Sequence, residues 1–242
     1  MNVTHSWHYY HAQRADRGHR HDVTSDGSTP LGPAGTDLFA ERVDLVPAEL
    51  GPAIYPLLNS IVLPRPIAWV STRSHDGHDN VAPHSYFTVA SVDPPVVCFT
   101  SVGEKDTLRN IRETGEFVVN VTSRGLLQQV NGTSTNFPPE RSEFDDVGLT
   151  RQPSELVTPS RVAESPVAIE CRLAGERSFG ASTVVFGEVL HIAVTPEVMR
   201  DGEVRPELLD PIARLGGSLY SALGELIELD RIRFSDWEAG RR

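Results

Sequence analysis

The sequence predicts a mainly β protein, a closed or nearly closed antiparallel barrel with a few short helices. Three observations carry this. From Ile54 onward the chain breaks into short runs of alternating or continuous apolar residues divided by turns. The stretches with helical spacing between those runs are short. A nucleotide-binding parallel sheet would need longer helices between strands and a glycine fingerprint after the first strand, and the chain has neither.

The elements run in order along the chain. Residues 64–72 (PRPIAWVST) read as a strand, and residues 74–80 (SHDGHDN) as a hairpin loop turning at Asp76-Gly77. Residues 80–92 (NVAPHSYFTVASV) read as a second strand, with Pro83 implying a bulge or an edge. Residues 94–102 (PPVVCFTSV) form a third run, apolar enough to be buried on both faces. The period then changes: Leu108, Ile111 and a terminating Gly115 fit a short helix. Residues 115–123 return to strand, and residues 125–131 (GLLQQVN) give another short helix. Residues 132–160, rich in Pro, Ser and Asp, read as an excursion over the surface. Residues 166–175 and 182–195 are two further strands, and residues 224–234 (GELIELDRIRF) a last one.

Composition bounds the rest. The 242 residues, 39% hydrophobic and 23% charged, suit one core-forming domain at residues 51–242 behind a leader at residues 1–50. The leader holds five of the nine histidines and too few apolar residues to repay ordering. His5, His8 and His11 share a face at helical spacing, but no carboxylate or cysteine joins them at ligand spacing, so no metal is expected. Twenty-two basic against thirty-three acidic residues leave a formal charge of −11, which argues against nucleic acid and anionic membrane surfaces as partners. Cys98 and Cys171 lie in apolar runs and read as core thiols, in keeping with a reducing cytoplasm. There is no apolar signal segment at the N-terminus and no run long enough to span a membrane.

Three segments carry candidate chemistry. Residues 100–110 (TSVGEKDTLRN) leave a strand, turn at Gly103 and enter a helix with Lys105 and Thr107 in its first turn. Free N–H groups and the positive helix end favour an anion there, with Ser101 and Thr107 hydroxyls as donors. The same spacing also fits a plain cap by Asp106 or Thr107 with Lys105 in solvent. Residues 80–87 interleave Asn80, His84 and Ser85 with Pro83, Tyr86 and Phe87, which offers an apolar wall and backbone groups to a flat heteroaromatic ring, or simply an edge strand. Residues 211–220 bring Arg214, Gly216, Gly217 and Tyr220 together, where backbone approaches something closely or a helix begins.

In this order, with RPIAWVST, DPPVVCFTSVGEKDTLRNIRETGEFVVNV, PSRVAESPVAIEC and FGEVLHIAV, these segments resemble the flavin-reductase-like, FMN-binding split-barrel family over about residues 54–220. The resemblance implies an antiparallel split β-barrel and a homodimer with an FMN site at each subunit interface, FAD being the alternative. It assigns Asn80, Val81, Ala82, Pro83, His84, Ser85, Tyr86 and Phe87 to the isoalloxazine and ribityl chain. It assigns Thr100, Ser101, Lys105, Asp106 and Thr107 to the phosphate, with Asn120 close by. Arg214, Leu215, Gly216, Gly217 and Tyr220 form a flanking or partner-side wall. The implied activity is NAD(P)H:flavin oxidoreduction, with NAD(P)H as co-substrate and reduced flavin passed to a partner monooxygenase. Its rivals are a flavoenzyme acting on its own organic substrate, with His84 as proton donor, and a non-catalytic FMN module.

Overall fold

The computed structural model describes residues 42–138 and 141–240. Most of the leader, with His5, His8 and His11, therefore lies outside the described residues. The chain divides into two units after Leu50, and the described part of the first carries one turn of helix at Pro47–Leu50.

The second unit is built on an antiparallel sheet of seven strands: β1 (Ala68–Arg73), β2 (Asp79–His84), β3 (Phe87–Val92), β4 (Pro95–Val102), β5 (Glu116–Val121), β6 (Val167–Phe179) and β7 (Ser182–Val194). The order across the sheet is β2-β1-β5-β6-β7-β4-β3. The two edges, β2 and β3, are consecutive in the chain and separated only by Ser85 and Tyr86. Two residues span no more than a few ångströms of chain each, so the sheet must curl until its edges meet. They meet without pairing: no ladder joins β2 to β3. The Tyr86 carbonyl accepts the Thr100 N–H of β4 at 2.9 Å, which ties the link to one side of the split.

Residues 80–92 are thus two strands at opposite edges rather than one. Pro83 sits on edge strand β2, opposite Trp69 of β1, where its missing N–H costs nothing to the ladder. The strands buried on both faces are β1, whose Ala68, Trp69 and Val70 are fully enclosed, and β5, whose Phe117, Val118, Val119 and Asn120 are. β4 instead alternates, with Val97, Phe99 and Ser101 inward and Val96, Cys98 and Thr100 half-covered, because its neighbour β3 is an exposed edge. Residues 223–233 form no strand; Ile227 and Leu229 are 84% and 88% exposed, and a helix follows at Phe234–Ala239. Among the described residues no neighbouring strand pairs with them.

Short helices flank the sheet, among them α1 (Ile54–Ile61), α2 (Asp106–Thr114), α3 (Leu127–Gly132) and α4 (Glu143–Asp146). α2 ends as expected, with Gly115 at φ 75° donating its N–H to Ile111. Its Leu108 and Ile111 close the interior core over Val70, Phe99, Phe117 and Cys171. β7 presses closely on that core at Gly187, where a Cβ would lie 2.3 Å from Phe117 Cζ. On the other face of β1 a second core gathers Trp69, Val81, Val130, Phe144 and Leu149. Phe144 is fully buried, so the 132–160 segment is no mere surface excursion.

Candidate functional site

Where the sheet edges approach, a groove of ≈500 Å³ runs between β2, the β4–α2 turn and the segment after α3. One wall is Ala82, Pro83, His84, Ser85 and Tyr86, and the far end holds Thr100, Lys105, Asp106 and Thr107, with Asn80 beneath. The two leading segments of the sequence reading therefore line one cavity.

The anion-facing end follows from local structure. β4 leaves the sheet at Val102, Gly103 turns at φ 80°, and Lys105 enters α2 in an extended conformation. No side chain caps the helix, so neither Asp106 nor Thr107 acts as the plain cap. Its first N–H groups accordingly have no acceptor from a capping side chain. Asp106 is turned toward Arg109, 2.7 Å away, and Glu104 toward Arg112 at 2.8 Å. Thr107 Oγ1 accepts from Asn80 Nδ2 at 3.1 Å, and the same amide donates to Thr72 Oγ1 at 3.2 Å. Asn110 Nδ2 also donates to Thr72, at 3.1 Å, and a buried polar network thereby fixes the first turn of α2 against β1 and β2.

His84 occupies the split itself. It is 7% exposed, and its ring lies against Phe99 of β4 with centroids 4.7 Å apart. Burial pushes its pKa down to about 4; the Thr100 backbone opposes that shift and the Lys105 charge adds to it. The imidazole is therefore neutral at physiological pH, and Nε2 is buried with no hydrogen-bond partner. Tyr86 is fixed by a hydrogen bond from its hydroxyl to Asn59 Oδ1 of α1, at 2.9 Å.

Other expected residues lie elsewhere. Val81 faces the second core, and Phe87 packs on the interior one. The Ser101 hydroxyl is buried and donates to the Gly103 carbonyl at 3.0 Å, shaping the turn. Asn120 is fully buried: Nδ2 donates to Trp69 O and Ser71 Oγ, and Oδ1 accepts from Val162 N. Arg214, Leu215, Gly216, Gly217 and Tyr220 form a separate hairpin, Ile212–Arg214 with Tyr220–Ala222. Arg214 lies over the Tyr220 ring at 4.4 Å and donates to Gly217 O. Buried Arg65 staples that hairpin to α1, through Leu215 O at 2.8 Å and Asn59 O at 2.6 Å. None of the five lines the groove.

The sequence reading missed a third wall. Thr133, Ser134, Thr135, Asn136 and Phe137 line the groove opposite β2, as do Tyr55 and the buried Glu143. The run TSTNF, three hydroxyls and an amide before an aromatic ring, was the available signal. Among the described residues no cluster of His, Cys, Asp and Glu is placed to hold a metal, and no helix is long and apolar enough to cross a membrane.

The model of the flavin reductase like domain matches residues 60–209. An uncharacterized protein of Halalkalibacterium halodurans is 40% identical over 189 residues, 73% of this chain and 90% of its own length. Among solved structures, nitrilotriacetate monooxygenase component B from Bacillus cereus is 33% identical with TM-score 0.75, over 78% of this chain and 99% of that one. The 2-nitrobenzoate 2-nitroreductase of Pseudomonas fluorescens is 31% identical with TM-score 0.74, over 79% and 98%.

Proposed function

The chain belongs to the flavin reductase like domain family, and from that premise we propose that it binds FMN in the groove and acts, as a homodimer in the cytoplasm, as an NAD(P)H:flavin oxidoreductase. The observation that carries this reading is the pairing, in one groove, of an uncapped helix N-terminus beside Lys105 with an aromatic and prolyl wall at Pro83–Tyr86. The first suits a phosphate monoester and the second a flat heterocycle. Two of the three groove acids do not oppose this fit, since Glu104 and Asp106 each face an arginine.

When bound, the flavin supplies the two-electron chemistry; the chain supplies binding, orientation and shielding. The α2 N–H groups and Lys105 hold the phosphate, and Thr107, fixed by Asn80, offers its hydroxyl to it. Of the Thr133–Asn136 wall, the Thr133 hydroxyl is taken up by Trp69 and Val130 and that of Ser134 by Asn131, so Thr135 and Asn136 are the groups that would be offered to a ribityl chain. His84, neutral and partnerless at Nε2, lies at the ring end. The resemblance to component B of a monooxygenase favours delivery of reduced flavin to a separate oxygenase.

The test is the absorbance spectrum of the purified protein with added FMN, followed by NADH and NADPH. Bound flavin that bleaches on addition of either nucleotide is expected. Failure to take up FMN would remove the reading. A second reading, reduction of an organic substrate by the protein itself, is favoured by buried neutral His84 beside the ring position and by the resemblance to a nitroreductase. Steady-state nucleotide oxidation with free FMN as sole acceptor separates the two.

A further inference from the structure

Glu143 is a groove-lining carboxyl group that the proposed function leaves unused. It opens α4, and the next residue, Phe144, is driven fully into the second core, so packing holds Glu143 against the groove wall at 6% exposure. Its Oε2 accepts the Val81 N–H of β2 at 3.1 Å. The preceding residue on β2, Asn80, reaches Thr107 in the first turn of α2. The carboxyl thus lies toward the phosphate end of the groove rather than the ring end.

The charges around it are compensated. From β2, Asp79 pairs with Arg73 and Arg151, and His84 is neutral. From the α2 turn, Glu104 pairs with Arg112 and Asp106 with Arg109, leaving Lys105. On its own element, Asp145 pairs with Arg151 and Asp146 with Arg141. Glu143, among the groove carboxylates, faces no arginine; its described partner is the Val81 N–H. Burial, helped by the charges of Asp106 and Asp146, raises its pKa, while backbone N–H groups oppose the shift.

We infer that Glu143 is a proton-dependent phosphate contact. As the neutral acid its hydroxyl donates to a phosphate oxygen of the flavin; as the carboxylate it repels that oxygen. Protonation of this one group then sets how tightly the phosphate-bearing cofactor is held and how readily it exchanges. The inference rests on the reading that the groove takes FMN, and deepens it.

Linkage gives the measurable consequence: binding that requires one proton weakens by about tenfold per pH unit above the pKa of the group that holds it. Dissociation constants for FMN and riboflavin are to be measured by flavin fluorescence from pH 6 to 8.5, in the wild type and in Glu143→Gln. The amide keeps a donor at that position and cannot ionise. The wild type should lose FMN affinity relative to the variant as the pH rises, approaching about tenfold per pH unit, and riboflavin should show no such difference. Titration calorimetry on the wild type at pH 7.5, in two buffers of different ionisation enthalpy, should show proton uptake with FMN and none with riboflavin. Parallel FMN profiles for the two proteins would overturn the role of Glu143 and leave the groove assignment standing. If the variant does not fold, equal proton uptake with the two flavins would overturn it instead. Absence of FMN binding at every pH would overturn the groove assignment, and this inference with it.

Discussion

Replacing His84 by glutamine removes an imidazole that the fold holds neutral, so the effect on stability depends on pH. In the native state the ring is sealed between β2 and Phe99 of β4, and its pKa falls from 6.5 to about 4. A folded-state pKa below the unfolded one means that the unfolded chain binds the proton more readily. The contribution is therefore fully present above pH 6.5 and is lost as the pH falls toward 4. At pH 5 the unfolded imidazole is about 97% protonated and the folded one about 10%. The difference corresponds to roughly 1.5 pKa units, or about 2 kcal/mol lost between pH 7.5 and pH 5. Against a total of about 5–15 kcal/mol for a typical domain, that is a large fraction.

The assay is urea unfolding of wild type and His84→Gln, free of flavin, at pH 7.5, 6 and 5. Other groups titrate in this range too, so the informative quantity is the gap between the two proteins. At pH 7.5 the variant should be less stable by roughly 0.5–3 kcal/mol, through lost contact with Phe99. By pH 5 the gap should shrink by about 2 kcal/mol, because the variant has no imidazole to protonate on unfolding. If the two proteins lose stability in parallel, His84 is not held neutral by burial and the sealed geometry of the split is wrong.

Other substitutions test other parts of the molecule. Lys105→Ala should weaken FMN by about 1.5–3 kcal/mol, roughly tenfold or more, and riboflavin much less; equal losses would mean that the residue serves the fold. Glu170→Gln should destabilise by about 3–5 kcal/mol, since the carboxylate is fully buried against Arg161 and accepts the N–H groups of Glu155 and Leu156. Burial works against that carboxylate, but those partners hold its pKa below 4.5, so its contribution is present above pH 4.5 and lost in more acid solution; a gap between wild type and variant that persists there would contradict this. Gly187→Ala forces a methyl to within 2.3 Å of Phe117 Cζ and should cost about 1–3 kcal/mol, read as a lowered Tm.

The parts of the fold that the sequence made legible are those set by local chemistry. Asp76-Gly77 turns the first hairpin, Gly115 ends α2, and Pro83 marks an edge strand. The parts that were not legible depend on where the chain returns. Residues 80–92 look continuous because no Gly, Asn or Asp marks a turn at Ser85-Tyr86; only the pairing of β2 with β1 and of β3 with β4 reveals the break. Residues 224–234 alternate like a strand, yet a strand requires a partner and none pairs with them among the described residues. At the site, Lys105, Thr107 and His84 were legible because a strand–turn–helix and a bulky polar edge are local patterns. Asn120 and Ser101 look like ligand-binding groups in one dimension, but their donors are consumed inside the fold, by Trp69, Ser71 and Gly103. Glu143 and the Thr133–Phe137 wall were hidden because the long segment that carries them reaches the groove only through the burial of Phe144.

A chain with a formal charge of −11 is a poor general attractor of anions, so any grip on a phosphate must be local. The β4–α2 turn offers such a local arrangement to the proposed phosphate. Asp106 and Glu104 flank the helix N-terminus, but Arg109 and Arg112, on the body of α2, draw each of them aside. Lys105 stands between them with no ion pair among the described residues, directly at the uncapped N–H groups. The helix dipole and one unpaired ammonium, exposed at the mouth of the groove, would then act together on an anion at that end. The same arrangement leaves Glu143 as the one unneutralised acid along the described groove wall. On the proposed reading, the pH dependence of phosphate binding would follow that residue rather than the protein's overall charge.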